Sequence, residues 1–297
     1  MREHSRLIRG ALLAATLGLA LSAVAASSSP AAQPSGSAAG RIIAGDVADP
    51  AAWPFAAAIY AKGRGFSRTK RFECTGSVIA PRVVLTAAHC TKSFANPIRN
   101  LKPADMAVVV GRSRLDDDSV GRRIAVTRVV PNPDYDSNHN RFDEGLLFLA
   151  EDAGVQPATL ISPTQAPAAT AVGTPVRSAG WGITSPFRPI LPKALQTAAQ
   201  TVVDPGRCKR IYDSVFSPQT SLCIFGAKVP HKRFIHVSAC HGDSGGPLVA
   251  DTPLGPRLVG TVLGGQDPCG ILPAFYATVS SNLPFIESTA GVGPVDP

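Results

Sequence analysis

Past residue 26 the chain has no apolar run long enough to cross a membrane as a helix. It has no CxxC pair, which removes the common cysteine pattern for zinc; no metal or other cofactor is expected. It has no basic stripe interleaved with aromatics, so no nucleic-acid partner is expected. Helical periodicity is scarce, and no internal repeat is seen. Hydrophobic residues make up 44% of the chain, a globular value that excludes wholesale disorder. Gly and Pro, at 27 each, point to many turns and a β-rich fold. The 297 residues allow one large domain or two small ones with a sizeable core.

The N-terminus reads as a leader. Arg2, Arg6 and Arg9 precede the apolar run from Ala11 to Ala26, and Ala23-Val24-Ala25 offers a small-residue cleavage site. This is the pattern of a secretory signal peptide over residues 1–25, and the run is short for a membrane anchor. A secreted, extracellular protein with no membrane attachment after leader removal is expected. Residues 26–41 are mainly Ser, Ala, Pro and Gly and end at Gly40-Arg41; the apolar IIAGD follows. Such a segment buries no core, and its final arginine is an accessible protease site. The formal charge of +8 falls to a modest +5 beyond Arg41, with 25 basic and 20 acidic residues.

All six cysteines lie in the exported part: Cys74, Cys90, Cys208, Cys223, Cys240 and Cys269. An even number in a secreted chain implies three disulfides, and six cysteines allow about 15 pairings.

From Ile42 onward, short apolar runs alternate with turn signals. Strands are expected at 53–60, 77–81, 83–88, 106–111, 123–130, 146–150, 175–181, 247–250 and 257–265. This is an all-β pattern, a barrel or a sandwich. A short helix is expected near 282–288, with Pro284 in its first turn, and a loose tail over 289–297.

Ser244 stands in CHGDSGGP, between glycines that let backbone approach a substrate. A serine hydroxyl becomes a nucleophile only with a base, an orienting group and oxyanion donors. GDSGG also fits the nucleophile elbow of α/β-hydrolases, but that arrangement needs a histidine after the serine. The histidines are His4, His89, His139, His231, His236 and His241, and none follows Ser244. In the order His, Asp, Ser, His89 closes the apolar run VVLTAAHC and Asp143 opens the apolar run in RFDEGLLFLA. An aspartate at the start of a buried strand needs a partner.

With these residues the chain resembles the chymotrypsin-like, trypsin-fold serine endopeptidases. The resemblance rests on RIIAG (41–45), CTGSVIAPRVVLTAAHC (74–90), DEGLLFL (143–149), SAGWG (178–182) and CHGDSGGP (240–247), and runs from Ile42 to about Ile286. It implies two six-stranded antiparallel β-barrels, with the active site between them and a short C-terminal helix. The peptidase domain would span 42–288, with barrels at about 42–158 and 159–288. It implies Ser244 as nucleophile, His89 as base, Asp143 as orienter, and the amides of Gly242 and Ser244 as oxyanion hole. It implies disulfides Cys74–Cys90, Cys208–Cys223 and Cys240–Cys269. It also implies a zymogen cut at Arg41-Ile42, whose new Ile42 ammonium pairs with Asp243. Protein or peptide substrates, a monomer, and a separate trypsin-like activating protease complete the expectation.

Departures from the family pattern carry information. Ser238 stands at the pocket floor, followed by Ala239, where an aspartate would select Arg or Lys. A cation there would be desolvated unpaired. With Gly265 and Ala274 as walls, apolar residues such as Leu, Met or Phe are expected before the cut, with small residues as the alternative. Ala44 replaces a glycine of the activation segment, Leu263 a serine that bonds the triad aspartate, and Gly264 a cleft tryptophan. His241 is read as a solvated histidine at the pocket mouth, and Asp116-Asp117-Asp118 as a solvated acidic turn without EF-hand spacing. The competing class is a non-catalytic binding protein on the same fold, disfavoured because Ser244, His89 and Asp143 are all present.

Overall fold

A computed structural model describes residues 42–61, 72–92 and 99–295. The expected signal peptide, the expected propeptide with Arg41, and the last two residues lie outside the described residues. The first strands are β1 (Asp46–Val47), β2 (Ala56–Ala61), β3 (Phe72–Ala80), β4 (Val83–Thr86), β5 (Met106–Val110), β6 (Arg122–Pro131) and β7 (Gly145–Leu149). Strands β2 to β7 close into an antiparallel barrel in the order β2-β3-β4-β7-β6-β5. Strands β8 (Pro175–Gly180), β9 (Gln196–Val202), β10 (Ser221–Gly226), β11 (Pro247–Thr252), β12 (Gly255–Gly264) and β13 (Ala274–Thr278) follow. They close a second barrel in the order β8-β9-β10-β13-β12-β11, and β1 lies on the edge of β9.

The apolar runs are continuous because both faces of the strands are covered. In β2, Ala57, Ile59 and Ala61 fill the first barrel, with Val84, Val108, Ile124 and Leu147. The alternate residues Ala58 and Tyr60 join a core that includes Trp181, Val202, Leu248 and Tyr276 of the second barrel. Period-two alternation thus divides one strand between a barrel interior and the interface between barrels. Each large aliphatic side chain buried this way contributes roughly 1.5–3 kcal/mol.

Strands β10 and β13 lie outside the expected runs, and three further elements depart from the sequence pattern. The strand β9, QTAAQTV, carries no apolar run because its inward Gln200 accepts from Ser178 at 2.9 Å and from Tyr276 at 3.0 Å. A helix, Pro205–Tyr212, starts at the N-cap Asp204, whose carboxylate accepts from Gly206 at 3.1 Å. The C-terminal helix runs Val279–Ala290, longer than expected, so Pro284 sits inside it and the chain leaves at Gly291 in a left-handed conformation.

Candidate active site

The cleft is built where the two barrels exchange hydrogen bonds. Thr86 of β4 pairs with Gly145 of β7. That register brings the turn after β4, Ala88–Thr91, beside the residue that precedes β7 by two, Asp143. Asp143 is fully buried, and both its oxygens are used: the His89 amide donates to Oδ1 at 2.8 Å, and His89 Nδ1 lies 2.6 Å from Oδ2. A carboxylate only accepts, so Nδ1 carries the proton and Nε2 is the acceptor nitrogen.

Ser244 comes from the second barrel, just before β11, and is held by the first. Its carbonyl accepts from the Thr75 amide at 2.9 Å, and Thr75 Oγ1 donates to the Gly242 carbonyl at 2.9 Å. Cys90, next to His89, has its sulfur 3.6 Å from the Ser244 carbonyl oxygen. The loop turns at Gly242 (φ 97) and Gly245 (φ 74). A Cβ on Gly245 would lie 2.1 Å from Thr86 Oγ1, so only glycine fits. Among the described residues, the Gly242 and Ser244 amides donate to no backbone or side-chain acceptor. They remain available for a developing oxyanion.

The six cysteines pair as Cys74–Cys90, Cys208–Cys223 and Cys240–Cys269, and none is free. Loops of 15 to 29 residues are closed, each worth roughly 3–4 kcal/mol by chain entropy. Two groups that unite a histidine with two cysteines, Cys74-His89-Cys90 and Cys240-His241-Cys269, offer no thiolate, since their cysteines are bridged.

Beside Ser244 opens a pocket of about 210 Å³, lined by Ser238, Ala239, Gly265, Ala274, Val262 and Leu272 among others. At Ser238 its lining is neutral, and the Ser238 hydroxyl is spent on the Ala239 carbonyl at 2.9 Å. Sequence reasoning missed Asp267 on its rim. His241 Nε2 lies 2.8 and 3.0 Å from the two Asp267 oxygens, so the rim histidine is paired with a carboxylate as well as solvated.

Asp243 is buried and accepts from the amides of Gly182 at 2.8 Å and Cys240 at 2.9 Å. Burial pushes its carboxyl up to about 7, against the pull of those amides and of His241. A Cβ on Gly180 or Gly182 would strike this carboxylate at 2.2 or 2.5 Å, so both glycines shape its niche. Ile42 and Ile43 are buried as well. Glu144, next to Asp143, is also fully buried, and desolvation holds its carboxyl well above the usual range. Its Oε1 accepts from Thr261 at 3.3 Å.

The family model described as Trypsin matches residues 42–286. The chain belongs to the trypsin family. It is a serine endopeptidase. Mouse (Mus musculus) kallikrein-11 is 30% identical over 250 residues, which cover 80% of this chain and 78% of that protein. Human kallikrein-15 is 30% identical over 264 residues, covering 84% and 91%. Among solved structures, neuropsin, described as a serine protease expressed in the limbic system of mouse brain, superposes with a TM-score of 0.66 at 25% identity. It covers 83% of this chain and 98% of its own. The two barrels and the C-terminal helix of this trypsin-family chain are that fold.

Leu263 and Gly264 now have a structural setting. The Leu263 side chain is buried with Phe216, Phe275 and the Cys208–Cys223 disulfide. Among the described residues, Asp143 accepts hydrogen bonds from His89 alone. Gly264 leaves its edge of the cleft without a side chain.

Proposed function

We propose that this chain is exported as a zymogen, activated by cleavage of Arg41-Ile42, and cuts proteins after apolar residues through Ser244, His89 and Asp143. The observation that carries the reading is the His89–Asp143 pair, with Nδ1 fixed by a carboxylate at 2.6 Å. As Ser244 Oγ attacks the scissile carbonyl, His89 Nε2 takes its proton. The oxyanion is received by the Gly242 and Ser244 amides, each such donor worth about 2.7–4 kcal/mol of barrier. Nε2 then gives the proton to the leaving amine. Water, deprotonated by the same nitrogen, releases the acyl group, while Asp143 stabilises the imidazolium throughout.

The niche around Asp243 supports the zymogen. Its carboxylate has amide donors but no cation hydrogen-bonded to it among the described residues. A freed Ile42 ammonium would supply one. The neutral floor at Ser238 supports apolar specificity, and with it a separate trypsin-like activator, because this pocket rejects Arg41. The leader supports export, and the enzyme acts as a monomer.

The test is a peptide set varied only at the residue before the scissile bond, assayed with the protein beginning at Ile42 and with Ser244→Ala as control. Cleavage after Leu, Met or Phe, absent in the control, is the expected result. Preference for Ala or Val would give the small-residue alternative; preference for Arg would overturn the role of Ser238; no cleavage by a folded protein would favour a binding role.

A further inference from the structure

Acidic residues are unevenly placed in this chain. Between Asp152 and Asp243 only Asp204 and Asp213 occur, and none lies between 214 and 242. That last stretch holds Lys228, His231, Lys232, Arg233 and His236. It folds as a hairpin: Lys228 bridges His236, and the Val229 amide donates to the Ile235 carbonyl at 2.8 Å. The tip, Pro230 to Phe234, is exposed throughout. Lys228, Lys232 and Arg233 have no acidic partner among the described residues.

A second exposed tip, Phe187-Arg188-Pro189-Ile190, stands on the same base. Leu191, which follows it, and Ile235, which follows the first tip, both pack on the cluster of Ile43, Ile183 and Cys240. The two tips carry the only large aromatic residues that are well exposed among the described residues: Phe187 at 70% and Phe234 at 59%, with Ile190 at 50% beside them. Exposed apolar side chains beside cations without acidic partners are the two ingredients of an interfacial binding surface.

We propose that these two tips dock the protein on an anionic lipid surface. Phe187, Ile190 and Phe234 enter the headgroup layer, while Arg188, Lys228, Lys232 and Arg233 lie against lipid phosphates. A soluble polyanion would use the cations but not the phenylalanines. A membrane interface uses both, combining buried apolar area with attraction to anionic headgroups. No carboxylate in either tip opposes the approach. Arg233 already lies over the Phe234 ring at 5.0 Å, a pairing that keeps charge and ring at one depth. Docking of this kind would concentrate the endopeptidase beside substrates held at membranes.

The test is co-sedimentation of the exported protein with phosphatidylcholine vesicles, with and without phosphatidylglycerol. Binding only to the anionic vesicles, weakened by salt, is expected. Lys232→Ala and Arg233→Ala should each lower affinity about fivefold. Phe187→Ala with Phe234→Ala should weaken binding further and leave its salt dependence in place. Unchanged thermal unfolding of each variant shows that the fold is intact. No binding to anionic vesicles overturns the proposal, as does binding that ignores all these substitutions. Retention on dextran sulfate that is indifferent to the phenylalanines, without vesicle binding, would assign the surface to soluble polyanions instead.

Discussion

The amide of Ser238, in the lining of the pocket beside Ser244, donates to the carbonyl of Ile43 at 3.3 Å. The pocket lining is therefore tied to the second residue after the proposed activation bond, and Asp243 lies buried as well. Its carboxyl is raised to about 7 by burial. A raised carboxyl binds its proton more tightly folded than unfolded, so its contribution to stability is present at acid pH and is lost as pH climbs through about 7. Pairing with the Ile42 ammonium reverses that loss. The uncut form, made with Arg41→Gln, should lose several degrees in Tm between pH 5 and 8 relative to the cut form, and Asp243→Asn should flatten its profile. Calorimetry across that range checks it; parallel profiles would remove Asp243 from the activation step.

Ala44 adopts φ 54, a left-handed conformation that costs a non-glycine residue about 1–2 kcal/mol. Its neighbour Gly45 has the opposite constraint, since a Cβ there would lie 2.3 Å from the Thr197 carbonyl oxygen. Ala44→Gly should raise stability by about 0.5–1 kcal/mol, the strain relieved less the added freedom of the unfolded chain. Gly45→Ala should destabilise severely. Thermal unfolding of the two variants separates them by sign.

Leu263 fills a cluster rather than serving the carboxylate. Leu263→Ser should cost about 2–5 kcal/mol through the cavity left against Phe216 and Phe275. It should leave kcat/KM on a peptide within about twofold at a temperature where the variant is folded. A rise of tenfold would show that the serine hydroxyl reaches Asp143, and that its loss limits this enzyme.

The fold class was legible because strands buried on both faces write continuous apolar runs, as in MAVVV and GLLFL. The strand QTAAQTV was not, because its core contribution is a hydrogen-bonded Gln200. Nor was the helix at Pro205, a short element with only Cys208 buried, whose start signal stands between two strands. At the site, Ser244, His89 and Asp143 stood out through their flanks. The Asp267 partner of His241 did not, since the two are 26 residues apart and only the fold brings them together. Glu144, which no sequence signal singled out, is fully buried and accepts from Thr261 of the other barrel.

The acidic triplet meets two cations close to it in sequence, Arg112 and Arg114, and one brought by the fold, Lys193. Asp116 lies 3.1 Å from Arg114 and 3.4 Å from Lys193, and Asp117 accepts from the Ser119 amide at 3.0 Å. Asp118 pairs with Arg112, whose side chain is only 7% exposed and whose Nε donates to the Val120 carbonyl at 2.9 Å. The turn is solvated, as expected, and also paired with the protein's own cations, which a bound divalent ion would have to displace. Calcium or a chelator should leave Tm unchanged. Arg112→Ala should cost about 0.5–1.5 kcal/mol, because the Val120 carbonyl and Asp118 lose the guanidinium that joins them. If calcium then stabilises the variant but not the parent, the guanidinium is standing where a metal would otherwise be needed; if calcium stabilises the parent, the closure by Arg112 is incomplete and the acidic turn is itself an ion site.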